Sequence, residues 1–153
     1  SLMLVELVER DSVLQPQNIA RIAAPSASSF STTGPHFTPN SAVDGLMYTR
    51  WNSAAWTKSD GNEAQWFQLT WKQPQMITRV RIHWGETHAV EYELEYSVDG
   101  KAWRTLREVT EGDGGLDDYV GPAVKARYLR VDGKRGTKGI SAYSIREIEV
   151  YEE

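Results

Sequence analysis

The sequence predicts an all-β fold, an antiparallel β-sandwich of the jelly-roll type. Three observations indicate it. Apolar and polar residues alternate over short stretches, turn residues separate these stretches, and the spacing typical of amphipathic helices is scarce. Many short strands joined by turns are typical of sandwiches and jelly rolls.

The clearest predicted strand is "VEYELEYSV" at 90–98. Glutamates at 91, 93 and 95 alternate with residues predicted to face the core, namely Val90, Tyr92, Leu94, Tyr96 and Val98. A period of two gives a strand one buried face and one solvated face. Asp99-Gly100 then predicts a tight hairpin, with 102–109 as the return strand.

Further strands are predicted at 65–71, 76–84, 127–132 and 145–151. Between them lie three long segments without regular patterning, at 24–64, 110–122 and 133–143. Long irregular segments in a compact domain usually carry a function or a bound ion. The acid-rich "EGDGGLDDY" at 111–119 is interpreted as a solvated loop.

Length and composition indicate one soluble globular domain. The chain has 153 residues and a formal net charge of −4, which favours neither nucleic acid nor an anionic membrane as a partner. It contains no cysteine, so zinc ribbons, thiol nucleophiles and disulfide frameworks are excluded. No apolar run approaches the roughly 20 residues of a membrane-spanning helix.

The first residues stand apart from the rest. Residues 2–9, "LMLVELVE", have the composition of a strand, and the polar 10–17 separates them from the remainder of the chain. We therefore expect 1–15 to be a linker or the end of a preceding domain, and 16–153 to be the module itself.

Several short motifs together resemble a known family. In order they are "NIA" at 18–20, "SASS" at 26–29, "AVDG" at 42–45, "TRW" at 49–51, "QWFQLTW" at 65–71, "VRIHW" at 80–84, "YELEYSVDGKAW" at 92–103, "RYLRV" at 127–131 and "YSIREIEVY" at 143–151. This series resembles the coagulation factor V/VIII C-type (discoidin-like) domains, and within them the bacterial family 32 carbohydrate-binding modules. The resemblance implies a galactose-binding-domain-like β-sandwich, in agreement with the strand pattern. Animal members usually carry a terminal cysteine pair, which this chain lacks.

The resemblance also implies a structural Ca²⁺ ion. Calcium binds carboxylate, hydroxyl and carbonyl oxygens, and the implied ligands are Ser41, Asp44, Met47, Thr49 and Glu147. Such an ion would join a long early loop to the last strand. Without the resemblance, the same residues are interpreted as an Asp-Gly turn capped by Thr49, with Glu147 on a solvated face. Leu46 stands where relatives often carry aspartate, which would lower the affinity if that position supplies charge.

The family binds sugars on loops at one end of the sandwich, which correspond here to 30–40, 52–63, 84–89 and 134–143. Sugar sites combine aromatic faces with a few fixed polar groups. The candidates are Trp56 as the stacking platform, Tyr143 as a second aromatic residue, and His36, Asn52, Glu86, His88, Arg135 and Lys138 as polar contacts, with Phe37 beside His36. Galactose-binding relatives often carry histidine where this chain has Asn52.

The remaining tryptophans are predicted to lie in the core. Trp51 follows the Thr49-Arg50 pair and is expected to anchor the loop. Trp66, Trp71, Trp84 and Trp103 lie in predicted strands.

No catalytic motif is recognisable. The three histidines lack the HExxH spacing, and GxSxG and phosphate-binding glycine loops are absent from the sequence. A glycosidase with paired carboxylates stays open at this point. We expect a monomeric, non-catalytic carbohydrate-binding module that binds galactose-type or other terminal sugars and is attached to a glycan-active enzyme. Its expected location is extracellular, at the cell surface or in the periplasm. The alternative is an adhesion module that binds protein or phospholipid, with Leu46 and Met47 as apolar contacts.

Overall fold

The computed structural model describes residues 17–57 and 60–152. This part of the chain contains short 3-10 helices at Ile19–Ile22 and Pro39–Ala42. Its strands are β1 (Ala24–Ala27), β2 (Trp51–Asn52), β3 (Asn62–Trp84), β4 (Ala89–Ser97), β5 (Arg104–Val109), β6 (Leu116–Gly136) and β7 (Ser144–Tyr151). The predicted strand at 2–9 lies outside the described residues. No helix within them has the length and apolar character needed to cross a membrane.

All strand pairs are antiparallel, and β3 and β6 each belong to two layers. The first half of β3 pairs with the second half of β6, and this layer also contains β1, β4 and β5. The second half of β3 pairs with the first half of β6 and with β7, which pairs with β2. Hydrogen bonding is therefore continuous through all seven described strands, in the order β2-β7-β3-β6-β4-β5 with β1 beside β3.

The core lies between the two layers. Trp84 from the second half of β3 meets Tyr92 from β4, with ring centroids 5.2 Å apart. Phe67, Leu69, Leu129 and Ile148 are at most 1 % exposed. The predicted antiparallel β-sandwich is thus confirmed.

The long strands correct the sequence prediction at two places. Residues 65–71 and 76–84 belong to one strand, because the Lys72–Pro74 region is accommodated as an irregularity in the register between Thr70 and Gln75. Residues 116–122 are not a loop but the start of β6. Asp117 there accepts hydrogen bonds from Trp84 Nε1 at 2.9 Å and from the Tyr92 hydroxyl at 2.5 Å, so it is not a solvated acid.

Burial of the predicted core residues follows the strand pattern with five exceptions, of which Val90 and Tyr96 are half-buried. Trp51, Trp71 and Trp84 are at most 4 % exposed, as predicted. Trp66 and Trp103 are only half-buried, because they flank the Arg130 guanidinium on an outer face at 4.7 and 4.3 Å. Val98 is 47 % exposed because β4 ends at Ser97 and the hairpin turns away.

Candidate cation and ligand-binding sites

The loop at 41–49 closes on itself through Asp44 and Thr49. Gly45 has a φ of +80°, which suits glycine, and the Leu46 amide donates to Asp44 Oδ1 at 2.9 Å. The Thr49 hydroxyl donates to Asp44 Oδ2 at 2.5 Å and lies 3.2 Å from the Ser41 carbonyl oxygen. Three of the predicted calcium ligands therefore meet in one loop.

Glu147 joins this loop to β7. Its two carboxylate oxygens accept from the Gly45 amide at 3.1 and 3.3 Å, and its side chain is 4 % exposed. Burial, and then the charge of Asp44, raise the pKa of Glu147 to about 8. Arg21 opposes this shift but does not outweigh the burial. The Asp-Gly turn is thus held to the last strand, and Glu147 does not lie on a solvated face.

This oxygen cluster fits a hard cation. A buried carboxylate beside a second carboxylate is unfavourable unless it is protonated or a positive charge joins it. Carboxylate, hydroxyl and carbonyl oxygens from Ser41, Asp44, Thr49 and Glu147 are the donor types that calcium prefers. Met47, the fifth predicted ligand, differs from these four residues, because its carbonyl oxygen accepts a hydrogen bond from Arg146 Nη1 at 3.2 Å.

A second acidic group lies on the outer face of the layer that contains β4. Glu93, Glu95 and Asp132 each offer an oxygen within 4.8 Å of the others. Burial and the neighbouring Asp132 raise the pKa of Glu95 to about 7. Lys134 lies 3.7 Å from Glu93, so part of the charge is already balanced.

Three of the predicted sugar contacts surround β2. The Asn52 amide donates to the Phe37 carbonyl at 3.1 Å, which places His36 beside β2. Asn52 pairs with Ser144, and the backbone of Ser144 bonds to Gly85 and Thr87 on either side of Glu86. His36 and Glu86 are exposed, and Asn52 is half-buried. The structure therefore brings His36, Asn52 and Glu86 to one end of the sandwich.

The other polar candidates lie around the start of β4 and the end of β6. Arg135 lies 3.5 Å from Glu91, so its charge is paired. His88 packs against Gly114, where an added Cβ would lie 2.8 Å from its Nδ1. Lys138 is exposed.

Trp56 is not an open platform. Its side chain is 9 % exposed and packs edge-on against Tyr143, with ring centroids 4.9 Å apart. Tyr143 is 1 % exposed, and its hydroxyl donates to the Glu63 carbonyl at 2.7 Å. Burial raises the pKa of Tyr143 above its usual range. The expectation of an exposed stacking ring at either residue is therefore corrected, because the loop folds both rings inward.

The aromatic rings that are exposed lie elsewhere, and sequence patterning did not single them out. Phe30 is 45 % exposed between Ser29 and Ser31, which are fixed by hydrogen bonds to Ala54 and Asn52. Tyr48 is 77 % exposed in the loop held by Asp44 and Glu147. Their position in irregular segments was the only available signal.

Two solved structures resemble this chain closely enough to carry a family relation. Chitosan-binding module 1 of a chitosanase/glucanase from Paenibacillus sp. IK-5 is 34 % identical, with a TM-score of 0.76, covering 89 % of this chain and 99 % of that one. Module 2 of the same protein, in complex with chitotriose, is 32 % identical, with a TM-score of 0.76, covering 88 % and 100 %.

A more distant structure shares the fold alone. CpGH89CBM32-5 from Clostridium perfringens, in complex with GalNAc-β-1,3-galactose, is 20 % identical, with a TM-score of 0.74, covering 89 % of this chain and 100 % of that one. No curated protein matches the sequence.

The two Paenibacillus relatives are chitosan-binding modules derived from a chitosanase/glucanase. The family model for the F5/8 type C domain matches residues 24–148, which cover most of the sandwich. The chain therefore belongs to the F5/8 type C domain family and has the fold of its carbohydrate-binding modules.

Proposed function

We propose that this chain binds a glycan at the end of the sandwich around β2 and so holds an attached glycan-active enzyme near its substrate. The main support is the group formed by His36, Asn52 and Glu86, which offers donors and acceptors from β2 and from two neighbouring loops. Two relatives with 32–34 % identity are chitosan-binding modules, one of them solved with chitotriose. Glucosamine oligomers, free or N-acetylated, therefore join terminal galactose-type sugars as candidate ligands, and the choice between the two forms depends on the groups around β2.

The experiment is a binding titration with chitotriose, galactose and a glycan array, comparing the wild type with Asn52→Ala. We expect weak single-site binding, as is useful for a module that acts by local concentration. Asn52→Ala is expected to weaken it about tenfold, the effect of losing one or two hydrogen bonds. Val98→Ala, at the hairpin beyond β4, is the control and should bind as the wild type does. Binding unaffected by Asn52→Ala would refute this location.

We further propose that a structural Ca²⁺ ion is held by Ser41, Asp44, Thr49 and Glu147. The support is the buried carboxylate of Glu147 beside the half-buried carboxylate of Asp44, whose repulsion a divalent cation would remove. When bound, the ion supplies a positive charge that joins the 41–49 loop to β7. Chelator-treated protein should gain thermal stability on addition of Ca²⁺, and Asp44→Ala should gain none. An equal response of both proteins would contradict the site.

A second candidate function, adhesion to a lipid or protein surface, is favoured by one observation. Leu46, Met47 and Tyr48 are consecutive and are 38 %, 48 % and 77 % exposed, and Arg146 lies beside them. Co-sedimentation with anionic vesicles tests it, since clear binding that is lost on Met47→Ser would favour adhesion over glycan recognition.

A further inference from the structure

Arg50 occupies a distinctive position at the end of the sandwich around β2. Its guanidinium carbon lies 4.9 Å from the centre of the Phe37 ring, and its Nε donates to Asn52 Oδ1 at 3.0 Å. On the other side its Cδ borders Gly85, since a Cβ added there would lie 3.5 Å from it. The half-buried side chain is therefore fixed in one orientation by an aromatic face, an amide and a close backbone.

The charge of Arg50 has no carboxylate partner among residues 17–57 and 60–152. Three arginines have one: Arg79 pairs with Asp118, Arg81 with Glu149 and Arg135 with Glu91. Others, such as Arg127 and Arg130, donate to neutral oxygens instead. The Nη1 and Nη2 groups of Arg50 have no acceptor in this part of the chain, and they are not among its buried unpaired atoms. They therefore face solvent.

Asn52 presents a donor at the same place. Its Oδ1 is occupied by Arg50, which leaves the Nδ2 group without an acceptor in the described chain. The groups of Arg50 and Asn52 that have no partner in this part of the chain are N–H donors. Glu86, on the neighbouring turn, is exposed and supplies the acceptor of the proposed site.

We infer that Arg50, oriented by Phe37 and Asn52, determines the specificity of the glycan site by binding a planar acceptor group, a sugar carboxylate or an acetamido carbonyl. This inference rests on the proposed function. A guanidinium can donate two parallel N–H groups to the two oxygens of a carboxylate, or direct its N–H groups at a single carbonyl oxygen, from a planar geometry that lysine does not offer. A protonated amine at the same position would face a like charge. The site accordingly favours N-acetylated or acidic sugars over free amino sugars.

The experiment compares three trisaccharides, made of N-acetylglucosamine, galacturonate and glucosamine, by calorimetric titration of the wild type and Arg50→Gln. The N-acetylated or the acidic trisaccharide should bind at least about tenfold more tightly than the glucosamine one. Arg50→Gln should lose about tenfold to a hundredfold of that affinity and with it the preference, as expected for hydrogen bonds to a charged group. Tighter binding of the N-acetylated trisaccharide would identify the acceptor as an acetamido carbonyl, and tighter binding of the acidic one would identify it as a carboxylate.

Two further variants separate specificity from folding. Arg50→Lys keeps the charge and should retain only part of the preference, because lysine lacks the planar N–H donors of a guanidinium. Arg104→Gln, an exposed arginine beside Tyr96 at the opposite end of β4, should behave as the wild type does. Equal binding of the three trisaccharides, tighter binding of the glucosamine one, or a preference retained by Arg50→Gln in a folded protein would overturn the inference. Binding of none of them would overturn the proposed function itself.

Discussion

Trp56 shows how a residue in a loop can belong to the core. Because its ring is 9 % exposed and packs on Tyr143, we predict that Trp56→Ala lowers the free energy of unfolding by about 3–5 kcal/mol. Trp56→Phe should cost less, since the indole Nε1 has no acceptor to lose within the described part of the chain. Denaturant unfolding measures both. A Trp56→Ala protein of unchanged stability that fails to bind glycan would show instead that a sugar stacks on the Trp56 ring.

Glu95 predicts a pH dependence of stability. Burial and Asp132 raise its pKa to about 7 in the folded protein, above its ordinary value of 4.5. Protonated Glu95 thus favours folding, and its contribution is fully present below about pH 4.5 and is lost as the pH rises through about 7. Glu95→Gln should therefore flatten the fall in stability between about pH 5 and pH 8, measured by urea unfolding. Glu111→Gln, an exposed control, should leave the profile unchanged.

At the scale of elements, the 41–49 loop depends on its glycine turn. Gly45 has a φ of +80°, and a Cβ there would lie 2.5 Å from Arg21 Nη1. Gly139, with a φ of +91°, has no atom within 4 Å of such a Cβ. Gly45→Ala and Gly139→Ala should each lower the free energy of unfolding by about 1–2 kcal/mol, because alanine disfavours a positive φ. Gly45→Ala should lower it further, because Arg21 must move. Equal losses in thermal unfolding would show that Arg21 does not pack against the turn.

The hairpin of β4 and β5 was predictable because alternation and Asp99-Gly100 are local signals. The continuity of β3 was not predictable, because a proline such as Pro74 normally ends a strand. Pro74 is tolerated in β3 only because the register shifts there. β6 begins with Leu116, Asp117 and Asp118, directly after a glycine-rich segment, and its strand conformation there comes from pairing with β3. At the candidate cation site, the family motifs indicated Asp44, Thr49 and Glu147 as ligands. Burial of Trp56 and the lack of a carboxylate partner for Arg50 in the described chain depend on contacts between distant segments.

At the scale of the whole molecule, the shared strands β3 and β6 form one continuous support for loops that meet around β2. Such a support suits a module that raises the local concentration of an attached enzyme. We predict that joining the chain to a glycan-active enzyme increases turnover on insoluble substrate and leaves turnover on soluble oligosaccharides unchanged. The Asn52→Ala fusion is the matched control and should lose the gain.

The most direct test of a glycan site around β2 is backbone NMR shift mapping during titration with chitotriose and its N-acetylated counterpart. We expect saturable shifts confined to residues 30–37, 50–54 and 85–87, which surround β2. Shifts centred on Glu93, Glu95 and Asp132 or on the hairpin after β4, or none with any glycan, would contradict this location of the site.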